Sequence, residues 1–434
     1  MKKVLIITYY WPPSGGAGVQ RWLKFVKYLR NYGWEPVVYT PENPEAPAID
    51  HSLEKDIPEN LTVIKTRIWE PYSVYKQFVG RKKEDSIKAG FLSEKKSPSF
   101  TEKISIWIRG NFFIPDARKF WIKPSVRFLE NYLKKNPVDA MVSTGPPHSM
   151  HLIALGVKEK LGIPWLADFR DPWTNIDFYD KLMLTRWSDK KHRKQEKKVL
   201  GNADKVVTVS QNWARDFIKI VDRPVEVITN GFDPEDFVGL QIKPQQNFEM
   251  VHLGSMNKDR NPDVLWQALA EFCSENKDFK QQLKILLIGQ TDHTVVESIR
   301  KYGLDHQTEK ISYLPHKEAM ERAANAVVLL LPLNNTPNVD GIIPGKLFEY
   351  LALHRPILCI GPENGDSAWI ILDCKAGYVH HFGDKEGIIN SVKHLFELSQ
   401  KGKLVREGQG EDYFKHSRKK LAGDIADLLN EMTN

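Results

Sequence analysis

Short apolar runs alternate along almost the whole chain with stretches where apolar residues return every three or four positions. The first spacing is that of buried strands and the second that of amphipathic helices, so the alternation predicts parallel α/β sheets. In the first half the strand runs are Val4–Thr8, Pro36–Tyr39, Thr62–Thr66, Ala140–Ser143, Trp165–Asp168, Val206–Val209 and Val225–Ile228. The clearest helix puts Val19, Trp22, Leu23, Val26 and Leu29 on one face and Arg21, Lys24 and Arg30 on the other. A polar stretch rich in Lys and Ser, Arg81–Thr101, breaks the alternation and reads as an excursion from the fold. The pattern stops near Pro234. Residues 238–247 hold Pro244, three glutamines and little to bury, and read as a linker. Strand runs then resume at Glu249–Leu253, Lys284–Ile288, Lys310–Tyr313, Val327–Leu331, Ile357–Ile360 and Tyr378–His380. A last helix repeats Leu421, Ile425, Leu428, Leu429 and Met432.

The predicted organisation is a first α/β domain over 1–237, the linker, a second over 248–405, and a closing helical segment over 406–434. A length of 434 residues agrees with more than one core. Two sheets of this kind imply a cleft between domains, where α/β proteins bind their ligands.

Composition changes the picture little. At 41% hydrophobic and 27% charged residues, the chain is neither disordered nor fibrous. The longest apolar run, Ala326–Leu331, is far short of the roughly 20 residues that cross a bilayer. The start Met1-Lys2-Lys3, followed by Val4–Thr8, superficially resembles a signal peptide. Trp11-Pro12-Pro13 and a glycine loop follow it with no small-residue cleavage site, so it reads as a first strand and the expected location is the cytoplasm. Cys273, Cys359 and Cys374 have no metal-ligand spacing and read as small buried hydrophobes.

The net charge of +7 is unevenly spread: Lys181–Lys198 holds eight basic residues against two acids. That run reads either as a solvated helix face or as a surface for anionic lipid. Leu182, Met183, Leu184 and Trp187 within it favour the lipid reading, as do Phe112, Phe113, Phe120 and Trp121 beside Arg118, Lys119 and Lys123. The inner face of the cell membrane would be the peripheral site. No helix-turn-helix, zinc or stacking motif accompanies the charge, so nucleic acid is not an expected partner.

Three loops carry candidate chemistry. Gly15-Gly16-Ala17-Gly18 joins the first strand to a helix, as an anion cradle or as a plain tight turn. In the second half, Gly254-Ser255 follows a strand and Arg260 stands just before the next helix, either meeting a phosphate or simply exposed. The third is Asp340-Gly341-Ile342-Ile343-Pro344-Gly345-Lys346-Leu347-Phe348-Glu349-Tyr350-Leu351. There Pro344 opens a helix whose first N–H groups lack helical acceptors, with Lys346 in its first turn and Glu349 one turn on. A lysine at a helix start suits a pyrophosphate and a carboxylate suits a ribose diol; an ordinary Lys–Glu helix pair is the alternative.

Taken with Ala203-Asp204-Lys205-Val206-Val207-Thr208-Val209-Ser210 and Val227-Ile228-Thr229-Asn230-Gly231-Phe232-Asp233, these loops make the whole chain resemble a retaining GT-B glycosyltransferase of the family 4 type. The resemblance implies two Rossmann-like domains facing each other across a cleft, with a C-terminal helix crossing back to the first. It implies a nucleoside diphosphate sugar donor, UDP-linked, and a glycan or lipid-linked acceptor in cell-surface polysaccharide synthesis. By position, Gly15, Gly16, Gly254, Ser255, Arg260, Gly345, Lys346 and Leu347 would surround the donor phosphates. Leu314 and His316 would receive the base, and Glu349 the ribose. His148, in Ser143-Thr144-Gly145-Pro146-Pro147-His148, would act on the sugar or be a mere helix-capping or exposed residue. Asp171 would bind acceptor or donor hydroxyls, or pair structurally with Arg170. His148, Lys346 and Arg260 are the catalytic candidates; no metal and no cofactor are expected. Two positions depart from the family pattern: Gly341 stands where a second glutamate is common, with Asp340 adjacent, and Ser255 where arginine is common. A UDP-sugar epimerase of the same frame and a nucleotide-sugar-binding protein without transferase activity are the alternatives.

Overall fold

The computed structural model describes residues 1–46, 48–70, 100–176, 179–242, 247–402 and 411–434. The excursion expected over 81–101 falls almost wholly outside them, as does Pro244 of the expected linker.

All the strand runs read from the sequence are strands. They are β1 Lys2–Ile7, β2 Trp34–Pro41, β3 Thr62–Thr66, β4 Ala140–Gly145, β5 Trp165–Phe169, β6 Lys205–Thr208 and β7 Glu226–Val227 in the first half. The second half has β8 Phe248–Leu253, β9 Leu283–Ile288, β10 Thr308–Ile311, β11 Val328–Pro332, β12 Ile357–Ile360 and β13 Gly377–His380. They form two sheets in the orders β3-β2-β1-β4-β5-β6-β7 and β10-β9-β8-β11-β12-β13, with parallel pairing throughout. Both orders step outward from the first strand and then reverse. Each sheet therefore has a switch point, β1/β4 in one and β8/β11 in the other.

The chain divides into two compact units, 1–229 with 418–434 and 230–417. The first division falls ahead of the stretch read as a linker, whose described residues 238–242 and 247 lie in the second unit.

Why the runs read as continuous apolar stretches is clearest in the second unit. Met250, Ile285, Leu287, Val328 and Leu330 pack into one core, and Val251, Leu286, Ile288, Leu329 and Leu331 into another. Successive residues point to opposite faces, and helices cover both. Each such buried side chain contributes roughly 1.5–3 kcal/mol. Cys273 lies in the first of these cores, and Cys359 and Cys374 in the second.

In the first unit the helix Ala17–Leu29 buries Val19, Trp22, Leu23, Val26 and Leu29 as its spacing predicts. Leu421, Ile425 and Leu429 of the closing helix Arg418–Thr433 join the same cluster. The opposite face is buried in part as well. Arg21 is fully buried and holds Asp168 through two hydrogen bonds of 3.1 and 2.9 Å. Lys24, 4% exposed, pairs with Asp56 at 2.9 Å. Both carboxylates come from distant parts of the sequence, so no local pattern announces them.

Candidate functional site

The candidate residues gather at the switch points. In the second unit Gly254 follows β8, and Gly345–Lys346 opens a helix, Gly345–Leu353, on the chain that leaves β11. Gly254 has φ +87°, a left-handed conformation that favours glycine, and a Cβ there would stand 3.5 Å from Lys346 Nζ. Lys346 Nζ donates to the Leu253 carbonyl and contacts His252 Nε2 at 2.9 Å. Arg260 sits in a short turn whose amide is capped by Asn257 Oδ1 at 3.0 Å, and its guanidinium donates to the Ser255 carbonyl at 2.9 Å. Among the described residues, neither cation is ion-paired to a carboxylate. Burial, then the Arg260 charge, holds Lys346 well below the ordinary amine range, although Glu349 works the other way. Burial lowers Arg260 as well. The site thus concentrates positive charge without a counter-anion, beside a helix start whose N–H groups lack intrahelical acceptors.

Tyr350 fixes this arrangement. Its hydroxyl accepts from the Leu253 amide at 2.9 Å and donates to the Leu330 carbonyl at 3.3 Å, tying the helix to β8 and β11. Glu349, one residue earlier, faces His316 with Oε1 and Nε2 3.1 Å apart. His316 opens the helix His316–Ala324 and is exposed, while Leu314 is partly buried against the core. The structure thus brings Glu349, His316, Lys346, Arg260, Gly254 and Ser255 near one another. The Leu347 side chain is fully buried in the core and anchors the helix, so any part it takes at the site is through its backbone. Gly341 is buried in the turn Val339–Gly341, and the adjacent Asp340 is exposed. His252 was missed. A histidine within the apolar run of β8 was its only signal.

In the first unit Gly16, after β1, has φ +99° and precedes the first helix, and Gly15 donates to the Ala48 carbonyl at 2.8 Å. His148 follows β4 at the N-cap of the helix Ser149–Leu161, yet its side chain does no capping. Asp116 does that instead, accepting from Ser149 N at 2.9 Å and Ser149 Oγ at 2.8 Å. The imidazole is left to stack on Trp173, with centroids 4.7 Å apart and planes 3° apart. It is therefore neither a capping nor an exposed group. Trp173 is pinned in turn: its indole N–H donates to His192 Nδ1 at 3.1 Å, and its amide and that of Thr174 reach Glu196 at 3.3 and 3.2 Å. Burial, then the charges of His151, Arg170 and His192, pushes His148 well below the usual imidazole range, so it is neutral. Arg170 donates to the Gly18 carbonyl at 2.9 Å and to that of Pro146, linking the β1 and β5 loops, and Asp171 beside it is half-buried. The buried structural carboxylate of this stretch is Asp168, held by Arg21, Trp22 and Thr144.

Residues 91–236 match the family model Glycosyltransferase Family 4. No curated protein sequence matches the chain. Solved structures align with this chain over nearly its full length at low identity. Sucrose-phosphate synthase from Thermosynechococcus elongatus shares 12% identity with a TM-score of 0.60, over 100% of this chain and 99% of that one. Anabaena HepE in complex with UDP-glucose shares 12% identity with a TM-score of 0.62, over 99% and 100%. A putative UDP-N-acetylglucosamine 2-epimerase from Listeria monocytogenes shares 9% identity with a TM-score of 0.54, over 99% and 96%. These likenesses establish the GT-B fold, two parallel α/β sheets of seven and six strands.

The first unit also carries a surface of exposed rings. Trp69 meets Phe120 at 4.9 Å, Phe113 meets Phe120 at 6.2 Å, and Trp107 meets Phe112 at 5.6 Å. Lys119 lies 5.0 Å from the Phe120 ring, and Lys191 lies 4.9 Å from the Trp187 ring. Asn111 bonds Thr185 N at 2.7 Å and the Met183 carbonyl at 3.2 Å, so the two stretches singled out in the sequence adjoin. Of their aromatics the core claims Trp121, stacked on Tyr39 at 5.0 Å. No helix among the described residues is long and apolar enough to cross a membrane.

Proposed function

We propose that the protein transfers a hexosyl or N-acetylhexosaminyl unit from a UDP-sugar to a glycan or lipid-linked acceptor in cell-surface polysaccharide synthesis, with retention. The observation that carries this reading is the unneutralised cation cluster of Lys346 and Arg260 beside Gly254 and the Gly345 helix start. As the donor bond breaks, negative charge grows on the departing diphosphate, and these groups meet it without reorganising. Glu349 takes the ribose diol, and Leu314 with His316 the base. In the first unit, Gly15 and Gly16 are assigned to the donor phosphates and His148 and Asp171 to the sugar or acceptor hydroxyls; these roles rest on family position. The neutral state of His148 suits it to exchange hydrogen bonds with a hydroxyl rather than to act as a cation. The cations take the place of a divalent ion on the diphosphate, so no metal is required. HepE, whose structure is described in complex with UDP-glucose, supports the choice of UDP.

The ring-and-lysine surface supports a cytoplasmic protein held peripherally at an anionic membrane face, since aromatics with cations suit a bilayer interface better than cations alone. A panel of nucleoside diphosphate sugars, with release of nucleoside diphosphate measured with and without acceptor and with chelator, tests the whole reading. Acceptor-dependent UDP release that survives EDTA is expected. A new UDP-sugar formed without acceptor would mark an epimerase, and binding without turnover an inactive relative.

A further inference from the structure

The two acceptors that hold Lys346, the His252 imidazole and the Leu253 carbonyl, are uncharged in the arrangement seen. The charged and titratable groups that face the amine are Arg260 from the turn, His252 from β8, and Glu349 and Tyr350 from its own helix, with His316 on Glu349. His252 is fully buried, and its second nitrogen, Nδ1, is enclosed without a hydrogen-bond partner; so is Arg260 Nε. A neutral imidazole that accepts at Nε2 carries its proton on Nδ1. The site therefore tolerates an unmatched donor beside two cations, an arrangement that costs stability unless something arrives to use it. Burial and the neighbouring cations lower the proton affinity of both partners, His252 well below the usual imidazole range and Lys346 well below the usual amine range.

We infer that a nucleoside diphosphate bound over Gly254 brings a proton with it onto the Lys346–His252 pair, and that His252 is a positioning residue which aims Lys346 and tunes its charge. The proton comes from solvent, and no bond in the nucleotide is made or broken. The inference rests on the donor-site reading above. Its sign follows from linkage: a group with low proton affinity when empty and higher affinity beside an anion binds that anion more tightly at lower pH. The apparent Kd for the nucleotide therefore rises with pH across the window between the two affinities, by at most about tenfold per pH unit for one proton.

Calorimetric titration of UDP into the full-length protein near pH 8, in buffers of different ionisation enthalpy, reads the proton directly. The binding heat should vary with buffer enthalpy, giving an uptake of about 0.3 proton or more per UDP. Lys346→Arg keeps the positive charge but cannot release a proton, so it should bind UDP with uptake near zero. His252→Gln should reduce the uptake, and Lys346→Arg carries the test if that variant does not fold. UDP binding with heats independent of buffer would overturn the inference and leave the donor site standing. Uptake unchanged in Lys346→Arg would equally overturn it. No UDP binding by the wild-type protein would remove the donor-site reading as well.

Discussion

The two sheets share one strand order, and a glycine lies on the loop leaving the first strand of each, yet the buried cations of the first unit and the half-buried cations of the second are treated in opposite ways. In the first unit Arg21 is matched by Asp168 and the carbonyls of Ile228 and Thr229, Lys24 by Asp56, and Arg118 by Glu70 at 3.0 Å. In the second, Lys346 and Arg260 face an imidazole, carbonyls and each other. A buried cation with its own carboxylate is part of the scaffold, because removing either partner strands the other. A half-buried cation without one is held there against part of its desolvation cost, and an anionic ligand would relieve it. The same frame thus pairs buried cations with carboxylates in one unit and, in the other, leaves Lys346 and Arg260 facing neutral acceptors.

The largest expected effect tests the Arg21–Asp168 pair. Asp168→Ala should destabilise the first unit by about 3–5 kcal/mol in urea unfolding, since it leaves Arg21 buried and unpaired. A loss under about 1 kcal/mol would show that the pair is not what holds the helix Ala17–Leu29. Burial alone would raise the Asp168 carboxyl, but the Arg21 charge and hydrogen bonds outweigh it and leave it lowered. Its contribution is therefore complete above the ordinary carboxylate range and is lost as pH falls through the folded value, so the alanine variant should show a shallower loss of stability in acid.

The cations of the second unit should behave in the reverse sense. Lys346→Ala should lower turnover by about 10²–10³-fold while stability stays unchanged or rises, because it removes a half-buried amine that no carboxylate balances. A variant that loses stability and activity together would put Lys346 in the scaffold and break the contrast. Glu349→Gln comes next, with donor affinity weakened by about 1.5–3 kcal/mol for a charged hydrogen bond lost. Unchanged donor affinity would remove the ribose role. The smallest effect lies at the surface of the first unit, where each basic residue is worth about 1 kcal/mol at an anionic bilayer. Lys190→Glu alone should only weaken co-sedimentation with anionic vesicles. Changing Lys190, Lys191, Arg193 and Lys194 together should abolish it, as should high salt. Equal recovery with neutral and anionic vesicles at low salt would leave a soluble acceptor as the better reading.

The central strands were legible because they are buried on both faces and so appear as uninterrupted apolar runs, from Val4–Ile7 to Ile357–Ile360, whereas the edge strands β3, β7, β10 and β13 are only half-buried. The Gly345–Lys346 helix start and Glu349 were legible for a related reason: a proline, a glycine and two charges a turn apart are a local pattern, and helix periodicity sets their common face. The side chain of Leu347, inside that same pattern, faces the core, and only packing tells which side of the turn does so. Where pairing is non-local, the sequence was silent. Nothing local announced that Arg21 and Lys24 would meet Asp168 and Asp56, and His148 looked like a cap until Asp116 and Trp173 were brought against it. Strand order, the two switch points, and the choice of which cations are neutralised depend on which segments become neighbours in space. By itself the sequence determined the strands, the helices and the main loop residues around Lys346; the tertiary structure alone decided which charges meet a counter-charge and which do not.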